Sequence, residues 1–224
     1  MRHLTWALAS ACLLACAGGA APGEDRGDKD TAAFFNGKDL TGWEGLKPYW
    51  GVKDGAIVGH TAEDPGFNTF LCSKKKYMDF ELKFQVRLKD GVGNSGVQIR
   101  SKVIDPKKYA VGGPQCDIGQ QYWGSLYGEH FGGMMQASPP DLVKKVLKPK
   151  DFNDYYIKCV GKHVTIKLNG ETTVDQDFDQ AWASKGKGRQ VLPDEGIIAW
   201  QLHSGFKSME VTFKNIQFKD LSKK

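Results

Sequence analysis

The chain has 224 residues, of which 40% are hydrophobic and 25% are charged, a composition typical of a folded globular protein. Its formal net charge of +5 reflects 31 basic and 26 acidic residues. The densest basic runs, residues 74–76 and 144–150, contain no interleaved aromatic residues. The sequence therefore does not favour a nucleic-acid-binding protein, and no nucleic-acid partner is predicted.

The N-terminal segment, residues 1–23, is typical of an export signal. Arg2 precedes an apolar run, residues 4–15, which is too short to span a bilayer as an anchor helix. Leu13-Leu14-Ala15-Cys16 resembles a lipobox, in which Cys16 would be lipidated, and cleavage after Ala17 is the alternative. We expect an exported protein of the periplasm, cell envelope or extracellular space, whose one membrane contact would be a lipid anchor at Cys16 if the lipobox alternative holds.

The next segment, residues 24–32, is charged and offers little to bury, so it is expected to be a disordered tether. The rest, residues 33–222, is predicted to be one domain, since no internal repeat or second domain is visible. Hydrophobic alternation with period 2 dominates it. Residues 79–88 show this best, with every second residue from Phe80 to Leu88 apolar. An Asp54-Gly55 pair predicts a tight hairpin before this strand.

Residues 95–101 continue the pattern, with Val97 and Ile99 facing inward and Gln98 and Arg100 facing outward. The segment that follows, residues 102–150, is rich in glycine, proline and aromatic residues and is predicted to be a long irregular connection of functional importance.

Four further strands are predicted after this connection, at residues 155–160, 163–168, 171–174 and 196–203. The last of them directs Trp200 to the core and Gln201 and His203 to the opposite face. The phase of the alternation changes at Asn215, which predicts a bulge or a break. Many short strands without crossover helices indicate an all-β antiparallel sandwich or barrel.

Three cysteines lie beyond the leader, Cys72, Cys116 and Cys159. An odd number permits at most one internal disulfide, and all three adjoin strand-like sequence. Buried free thiols are therefore favoured, and the absence of C-x-x-C spacing argues against a cysteine zinc site.

Short motifs along nearly the whole of this domain resemble those of the 3-keto-disaccharide hydrolase domain family. They occur in the family's order, from residues 34–43 (FFNGKDLTGW), 94–100 (NSGVQIR) and 124–127 (GSLY) to 168–170 (LNG), 201–203 (QLH) and 211–216 (VTFKNI). The resemblance implies a concanavalin A-like jelly roll that acts on glycosides already oxidised to a ketone at C3. Residues 113–118 (GPQCDI) depart from the Gly-Tyr-Glu-x-Gln-Ile of many members.

Elimination from such a sugar needs a base for the C2 proton, a group that stabilises the enolate and an acid for the leaving group. We expect His203 or Asp117 as the base, Arg100 at the enolate oxygen and Glu129 or Tyr127 as the acid. A divalent cation is the alternative to Arg100, and no other cofactor is predicted. The residues expected to bind the sugar are Gln98, Gln115, Gln201, Trp123 and His130.

Ordinary structural roles are the alternative to catalytic ones for these residues. Arg100 would pair with Asp117 or Glu129 as an ordinary surface ion pair, and His203 would be a structural residue at a strand end. A non-catalytic carbohydrate-binding domain and an envelope adhesion protein remain the competing functions, because jelly rolls host all three. The enzyme hypothesis requires that Arg100, Asp117 and His203 face one hollow.

Overall fold

The computed structural model describes residues 26–184 and 188–222. Two 3₁₀ turns, Lys89–Gly91 and Gln120–Tyr122, accompany the helices and strands. In chain order these are α1 (Arg26–Phe34), β1 (Trp43–Glu44), β2 (Trp50–Lys53), β3 (Ala56–Thr61), β4 (Thr69–Tyr77), β5 (Phe80–Leu88), β6 (Asn94–Asp105), β7 (Ala110–Gly119), β8 (Leu126–Glu129), β9 (Gly133–Gln136), α2 (Pro140–Val146), β10 (Asn153–Val160), β11 (His163–Leu168), β12 (Glu171–Asp177), β13 (Trp182–Ser184), β14 (Gly188–Gln190), β15 (Gly196–Leu202) and β16 (Met209–Asp220).

The described strands build two seven-stranded sheets. Sheet I has the order β1-β4-β15-β6-β7-β8-β9, and sheet II has the order β12-β11-β10-β5-β16-β3-β2. A short β13–β14 ribbon is separate from both. Neighbouring strands pair antiparallel throughout the two sheets. The predicted all-β antiparallel sandwich is confirmed, and its jelly-roll order places strands distant in sequence side by side.

The core lies between the two sheets. Trp200 of β15 is fully buried, and its ring lies 4.5 Å from that of Phe213 and 5.2 Å from that of Phe84, both in sheet II. In β5 the residues Phe80, Leu82, Phe84, Val86 and Leu88 are buried, as the alternation predicts. Core packing therefore fixes which face of each strand turns outward.

Turn and bulge predictions are also confirmed. Asp54 and Gly55 have positive φ angles, as a type I′ turn requires, and Asn169 and Gly170 between β11 and β12 have them as well. β16 continues through Asn215, where φ is 52° and the pairing with β5 shifts register. Of the two alternatives at this position, the bulge is the one present.

The long irregular connection predicted for residues 102–150 is wrong. This segment continues β6 and then forms β7, β8, β9 and α2. Both faces of β7 are buried from Val111 to Gly119, so this strand lacks the apolar–polar alternation of a half-exposed strand.

The disordered tether predicted for residues 24–32 is also corrected, because α1 begins at Arg26. Thr31 Oγ1 donates to Phe218 O and accepts from Phe218 N, and Asp30 Oδ2 accepts from Asp220 N. The ring of Phe34 stacks on that of Phe218 at 4.2 Å. Polar side chains thus hydrogen-bond the β16 backbone, an interaction that hydrophobicity alone does not reveal.

The predicted export signal, residues 1–23, and Cys16 lie outside the described residues and stay predictions. Within the described part of the chain, no helix combines the length and hydropathy needed to cross a bilayer. Cys72, Cys116 and Cys159 are buried free thiols, as predicted.

Candidate active site

Sheet I turns a polar face away from the core. Gln98 of β6, Gln115 and Asp117 of β7, and Gln201 of β15 alternate with core residues and are themselves buried. Pairing of β6 with β7 sets Gln98 directly opposite Gln115. Three neighbouring strands thus bring amides and a carboxyl group together.

Beside these residues is a hollow of about 290 Å³, called here the Asp117 hollow. This volume is close to the lower end of the range for small-molecule sites, about 300–1,000 Å³. Five of the predicted site residues line it together with three others. The lining consists of Asn94, Gln115, Asp117, Gln120, Tyr122, Tyr127, Glu129 and His203.

Asp117 is the most perturbed carboxyl group of this site. Burial, helped by the nearby Glu129 charge, raises its pKa to about 8, although the contact with Gln115 acts in the opposite direction. The Asp117 backbone is firmly held, because its carbonyl oxygen accepts from Tyr155 Oη at 2.9 Å and from Gly124 N at 3.0 Å. Asp117 is therefore a rigid, desolvated carboxyl group of the kind that acts as an acid or base near neutral pH.

His203 follows directly after β15. Its Nδ1 lies 2.6 Å from Ser204 O, so this nitrogen carries the proton and donates it. Nε2 is then the nitrogen that accepts a proton in the neutral ring. This tautomer suits His203 to the role of a base.

Tyr127 and Glu129 project from β8, on the other side of Asp117. Burial and the Glu129 and Asp117 charges raise the pKa of Tyr127, which keeps the phenol protonated. Glu129 Oε1 accepts from Asn68 Nδ2 at 3.0 Å and lies 3.7 Å from His130 Nε2. His130 itself is largely exposed and lies beside the Asp117 hollow without lining it.

The prediction that Arg100 faces this hollow is wrong. Its side chain is 1% exposed and donates to Asp79 Oδ1 at 2.8 Å. It also donates to three backbone carbonyl oxygens, those of Met78, Gly161 and Pro193. Arg100 therefore joins turns at one end of the sandwich.

A bulge in β6 is the physical reason. Gln98 pairs with Ala199 and Ser101 pairs with Ile197, so β6 has one residue more than β15 in this interval. Arg100 has a φ of 46°, in the left-handed region. The extra residue reverses the alternation, and Arg100 leaves the face that Gln98 occupies.

Trp123 was predicted to stack on a sugar, and this is also corrected. Its ring is 3% exposed and belongs to the core. Gln98 and Gln201 lie behind Gln115 and do not line the Asp117 hollow.

Sequence analysis did not select Asn94, Gln120, Tyr122 or Asn68 as site residues. Asn94 was visible as the start of the NSGVQIR motif and Tyr122 as one aromatic residue of the 102–150 segment. Nothing in the sequence connects Asn68 with Glu129, since 61 residues separate them.

A larger hollow, of about 700 Å³, lies on the outer face of sheet II. Its polar side chains pair with one another: Gln85 donates to Asp154 at 2.8 Å, and the Lys83 and Lys167 amino groups each lie 5.8 Å from the Tyr156 ring centre. Such mutual pairing is typical of a solvated sheet face.

For the divalent cation suggested as an alternative to Arg100, the described residues offer no set of ligands. Among residues 26–184 and 188–222, no three His, Cys, Asp or Glu side chains are grouped so that they could hold a metal ion.

The fold and this hollow together define a jelly-roll protein with a potential acid–base site on one sheet. Residues 30–219 match the model of the 3-keto-alpha-glucoside-1,2-lyase-like domain, and the chain belongs to this family. The resemblance found in the sequence motifs is confirmed.

Solved structures share the fold. Two crystal structures of candidate glycosyl hydrolases from Parabacteroides distasonis ATCC 8503 are similar to it. One has a TM-score of 0.61 at 22% identity, covering 90% of this chain and 98% of its own. The other has a TM-score of 0.60 at 23% identity, covering 82% and 96%. The carbohydrate binding module CBM66 from Bacillus subtilis has a TM-score of 0.53 at 14% identity, covering 80% of this chain and 95% of its own. No curated protein matches the sequence.

Proposed function

We propose that this protein cleaves 3-keto-glycosides by removing the C2 proton and eliminating the group on C1. One observation carries the proposal: Asp117, Tyr127, Glu129 and His203 line a single hollow in which burial raises the pKa of Asp117 to about 8. Groups tuned toward neutral pH are what proton transfer at carbon requires. Membership of a family described as 1,2-lyase-like supports elimination across C1 and C2.

The chemistry begins at His203 in this proposal. A ketone at C3 acidifies the hydrogen on C2, and Nε2 of the neutral His203 ring takes this proton. The electron pair of the C2–H bond forms an enolate, which is stabilised by hydrogen bonds from neutral donors. Tyr127 is the first candidate, because its phenol stays protonated beside two carboxyl groups.

Elimination completes the step. The enolate re-forms the C3 ketone, its electron pair forms a C1=C2 double bond as the C1–O bond breaks, and the departing oxygen takes a proton from an acid of the site. Addition of water at C1 then gives the net hydrolysis product. Arg100 has no part in this scheme, because it is engaged at the end of the sandwich.

The test is incubation of the purified protein with 3-keto-trehalose, 3-keto-lactose and the unoxidised parent sugars, in D₂O and with and without a chelator. We expect cleavage of the keto sugars alone and deuterium at C2 of the recovered substrate. His203→Gln should abolish both, whereas His60→Gln, at an exposed position of the otherwise largely buried strand β3, should abolish neither. Absence of both cleavage and exchange would overturn the proposal.

A non-catalytic sugar-binding domain is the second candidate. The Asp117 hollow also contains Asn94, Gln115 and Gln120, and planar amides read sugar hydroxyls well. The same experiment distinguishes the two, because a binder would retain the keto sugar without exchange at C2. Export to the cell envelope or beyond remains part of the proposal, tested by fractionation and N-terminal analysis of the mature protein.

A further inference from the structure

Three buried glutamines connect Asp117 to Ser101. Asp117 Oδ1 lies 2.7 Å from the Gln115 amide nitrogen, and Gln115 Oε1 lies 2.7 Å from the Gln98 amide nitrogen. Gln98 Oε1 lies 2.7 Å from Ser101 Oγ. Gln201 joins from β15, with its Oε1 3.3 Å from Gln115 Nε2. All three glutamines are at most 2% exposed, so their amide groups depend on one another and on neighbouring protein groups for hydrogen bonds.

This arrangement of amides contains a conflict at Gln98. Its Oε1 lies 3.1 Å from the carbonyl oxygen of Pro114 and 3.3 Å from that of Gly113. Oxygens with no hydrogen between them repel each other, and Gln98 Oε1 meets both carbonyls although it also accepts from Ser101 Oγ at 2.7 Å. The two ends of an amide have the same shape, so turning the Gln98 amide by 180° places its nitrogen 2.7 Å from Ser101 Oγ and 3.1 Å from the Pro114 carbonyl oxygen, both of which accept from its N–H groups.

Turning the Gln98 amide changes which hydrogen bonds Gln115 and Asp117 can form. Its oxygen then lies 2.7 Å from Gln115 Oε1, so Gln115 must turn as well and donate to Gln98. The oxygen of the turned Gln115 lies 2.7 Å from Asp117 Oδ1. This contact is favourable only when Asp117 Oδ1 carries a proton, and 2.7 Å is a common length for an O–H···O bond.

Gln201 supports the same arrangement independently. Its buried Nε2 has no hydrogen-bond partner among the described residues. When Gln201 turns together with Gln115, its nitrogen donates to the Gln115 oxygen at 3.3 Å. The Gln201 oxygen then occupies the position that has no hydrogen-bond partner. This costs less than leaving the nitrogen there, because buried carbonyl groups lack a partner more often than N–H groups do.

We infer that Gln98, Gln115 and Gln201 form an amide relay that holds Asp117 as a neutral carboxylic acid, which makes Asp117 the acid of the site and leaves His203 as its base. The alternative of Asp117 as base is thereby set aside. Gln98 and Gln201 are positioning residues, because they act through Gln115 and do not line the hollow.

The surroundings of Asp117 act in the same direction. Glu129 of β8 adds a negative charge that disfavours a second one at Asp117. Tyr127 from β8, Tyr155 from sheet II and the adjacent Cys116 all have raised pKa values and remain protonated. The other titratable groups that line the hollow are His203 and Tyr122.

The role in the reaction rests on the proposed function, whereas the protonation of Asp117 does not. When the C1–O bond breaks, its electron pair stays with the departing oxygen, which takes the Asp117 proton. The Gln115 amide then turns so that Nε2 donates to the new carboxylate. The C2 proton leaves His203 to solvent and Asp117 regains one from solvent, so no net proton is consumed.

Neutron diffraction from deuterated wild-type crystals near pH 6 tests the relay without any substrate. We expect a deuteron on Asp117 Oδ1 directed at Gln115, and deuterons of the Gln98 amide directed at Ser101 Oγ and at the Pro114 carbonyl oxygen. Deuterons of Gln115 pointing at a bare Asp117 carboxylate would overturn the inference. Because no turnover is measured, this result and the failure of the proposed reaction are distinguishable.

Carbon-13 NMR of labelled aspartate carboxyls supplies the second measurement, with Asp117→Asn identifying the resonance. In Gln98→Met the Gln115 amide is free to donate to a carboxylate, so the titration midpoint of Asp117 should fall by about one pH unit, a tenfold change in its ionisation constant. The control Gln217→Met, on the exposed face of β16, should leave it unchanged. An equal midpoint in Gln98→Met and wild type contradicts the relay.

Discussion

The guanidinium of Arg100 satisfies four acceptors at one end of the sandwich, and their chain positions explain its importance. They belong to the turn between β4 and β5, the turn between β10 and β11, and the segment that enters β15. One buried cation thus joins turns from both sheets. Removing it would leave the Asp79 carboxylate and three carbonyl groups without their donor.

Replacing Arg100 with Leu should therefore lower the free energy of unfolding by about 3–5 kcal/mol, the range for breaking a buried ion pair. Turnover per folded molecule should stay close to wild type if Arg100 is structural only. Urea denaturation and an assay at matched folded concentration measure the two effects. Arg87→Leu, which removes a cation over the Phe152 ring on the sheet surface, is the control and should cost far less. Loss of turnover with unchanged stability would restore Arg100 to the catalytic scheme.

Asp117 gives the protein a pH dependence whose sign follows from its environment. Its pKa is raised from 3.8 to about 8 on folding, so between these values the folded protein holds a proton that the unfolded chain has lost. Stability from this group is complete below the lower value and falls as pH rises, by at most about 1.4 kcal/mol per pH unit, until the upper value is passed.

Asp117→Asn should remove this dependence, because an amide needs no proton to remain neutral. We expect the variant to gain stability relative to wild type between pH 5 and pH 9, as measured by urea unfolding at several pH values (about 5, 7 and 9) that bracket the titration range. Glu171→Gln, at an exposed strand position, is the matched control. Parallel stability curves for Asp117→Asn and wild type would mean that Asp117 titrates normally.

At the scale of elements, the approach of β6 to β7 builds the polar face of sheet I. Gly96 faces Asp117 across the pairing, and a Cβ atom at Gly96 would lie 2.6 Å from Cγ and Cδ of Gln115. The space that a side chain would fill is thus occupied by the Gln115 amide.

Gly96→Ala should displace Gln115, destabilise the protein by about 1–3 kcal/mol as overpacking does, and alter the Asp117 titration. Gly51→Ala in β2, where no atom lies within 4 Å of the added carbon, controls for the loss of a strand glycine. Carbon-13 NMR of the aspartate carboxyls in both variants measures the titration midpoint of Asp117. An unchanged Asp117 midpoint in Gly96→Ala would show that Gln115 does not govern this carboxyl group.

Elements with one solvated face were predictable and those buried on both faces were not. β5 has the alternation of a half-exposed strand, and its boundaries and buried face follow from the sequence. β7 is buried on both faces and carries Gln115 and Asp117 where apolar residues would be expected, so its sequence resembles a loop. The site residues of β7, β8 and β15 were predicted from their residue types. The prediction that Arg100 faces the same hollow was wrong because a single bulge in β6, invisible in the sequence, reverses the direction of its side chain.

At the scale of the whole molecule, Cys116 and Cys159 lie in the core between the two sheets, whereas Cys72 is buried on the opposite face of sheet I, beside Phe70, Val111 and Ala199. Burial raises the pKa of Cys72 to about 12 and that of Cys159 to about 11, and it raises the pKa of Cys116 as well. A thiol that is both buried and protonated is a poor nucleophile, since the thiolate is the reactive form.

These thiols should be inert to an aromatic disulfide reagent near pH 8 until the protein unfolds. The modification rates of Cys116 and Cys159 should follow global unfolding across a urea series, because both thiols lie in the core between the two sheets. Ala62→Cys, at an exposed position, should react at once in the native protein and serves as the positive control. Rapid labelling of any core cysteine in native buffer would contradict this expectation.

The same enclosure matters wherever the surroundings are oxidising, as the predicted export implies. Beyond residue 23 the sequence has an odd number of cysteines, so in an unfolded chain one sulfur must always be left over to cross-link with a neighbouring molecule. Packing of the two sheets keeps oxidants away from Cys116 and Cys159, and the apolar cluster on the other face of sheet I does the same for Cys72. The folded protein is thereby protected from intermolecular disulfide cross-linking.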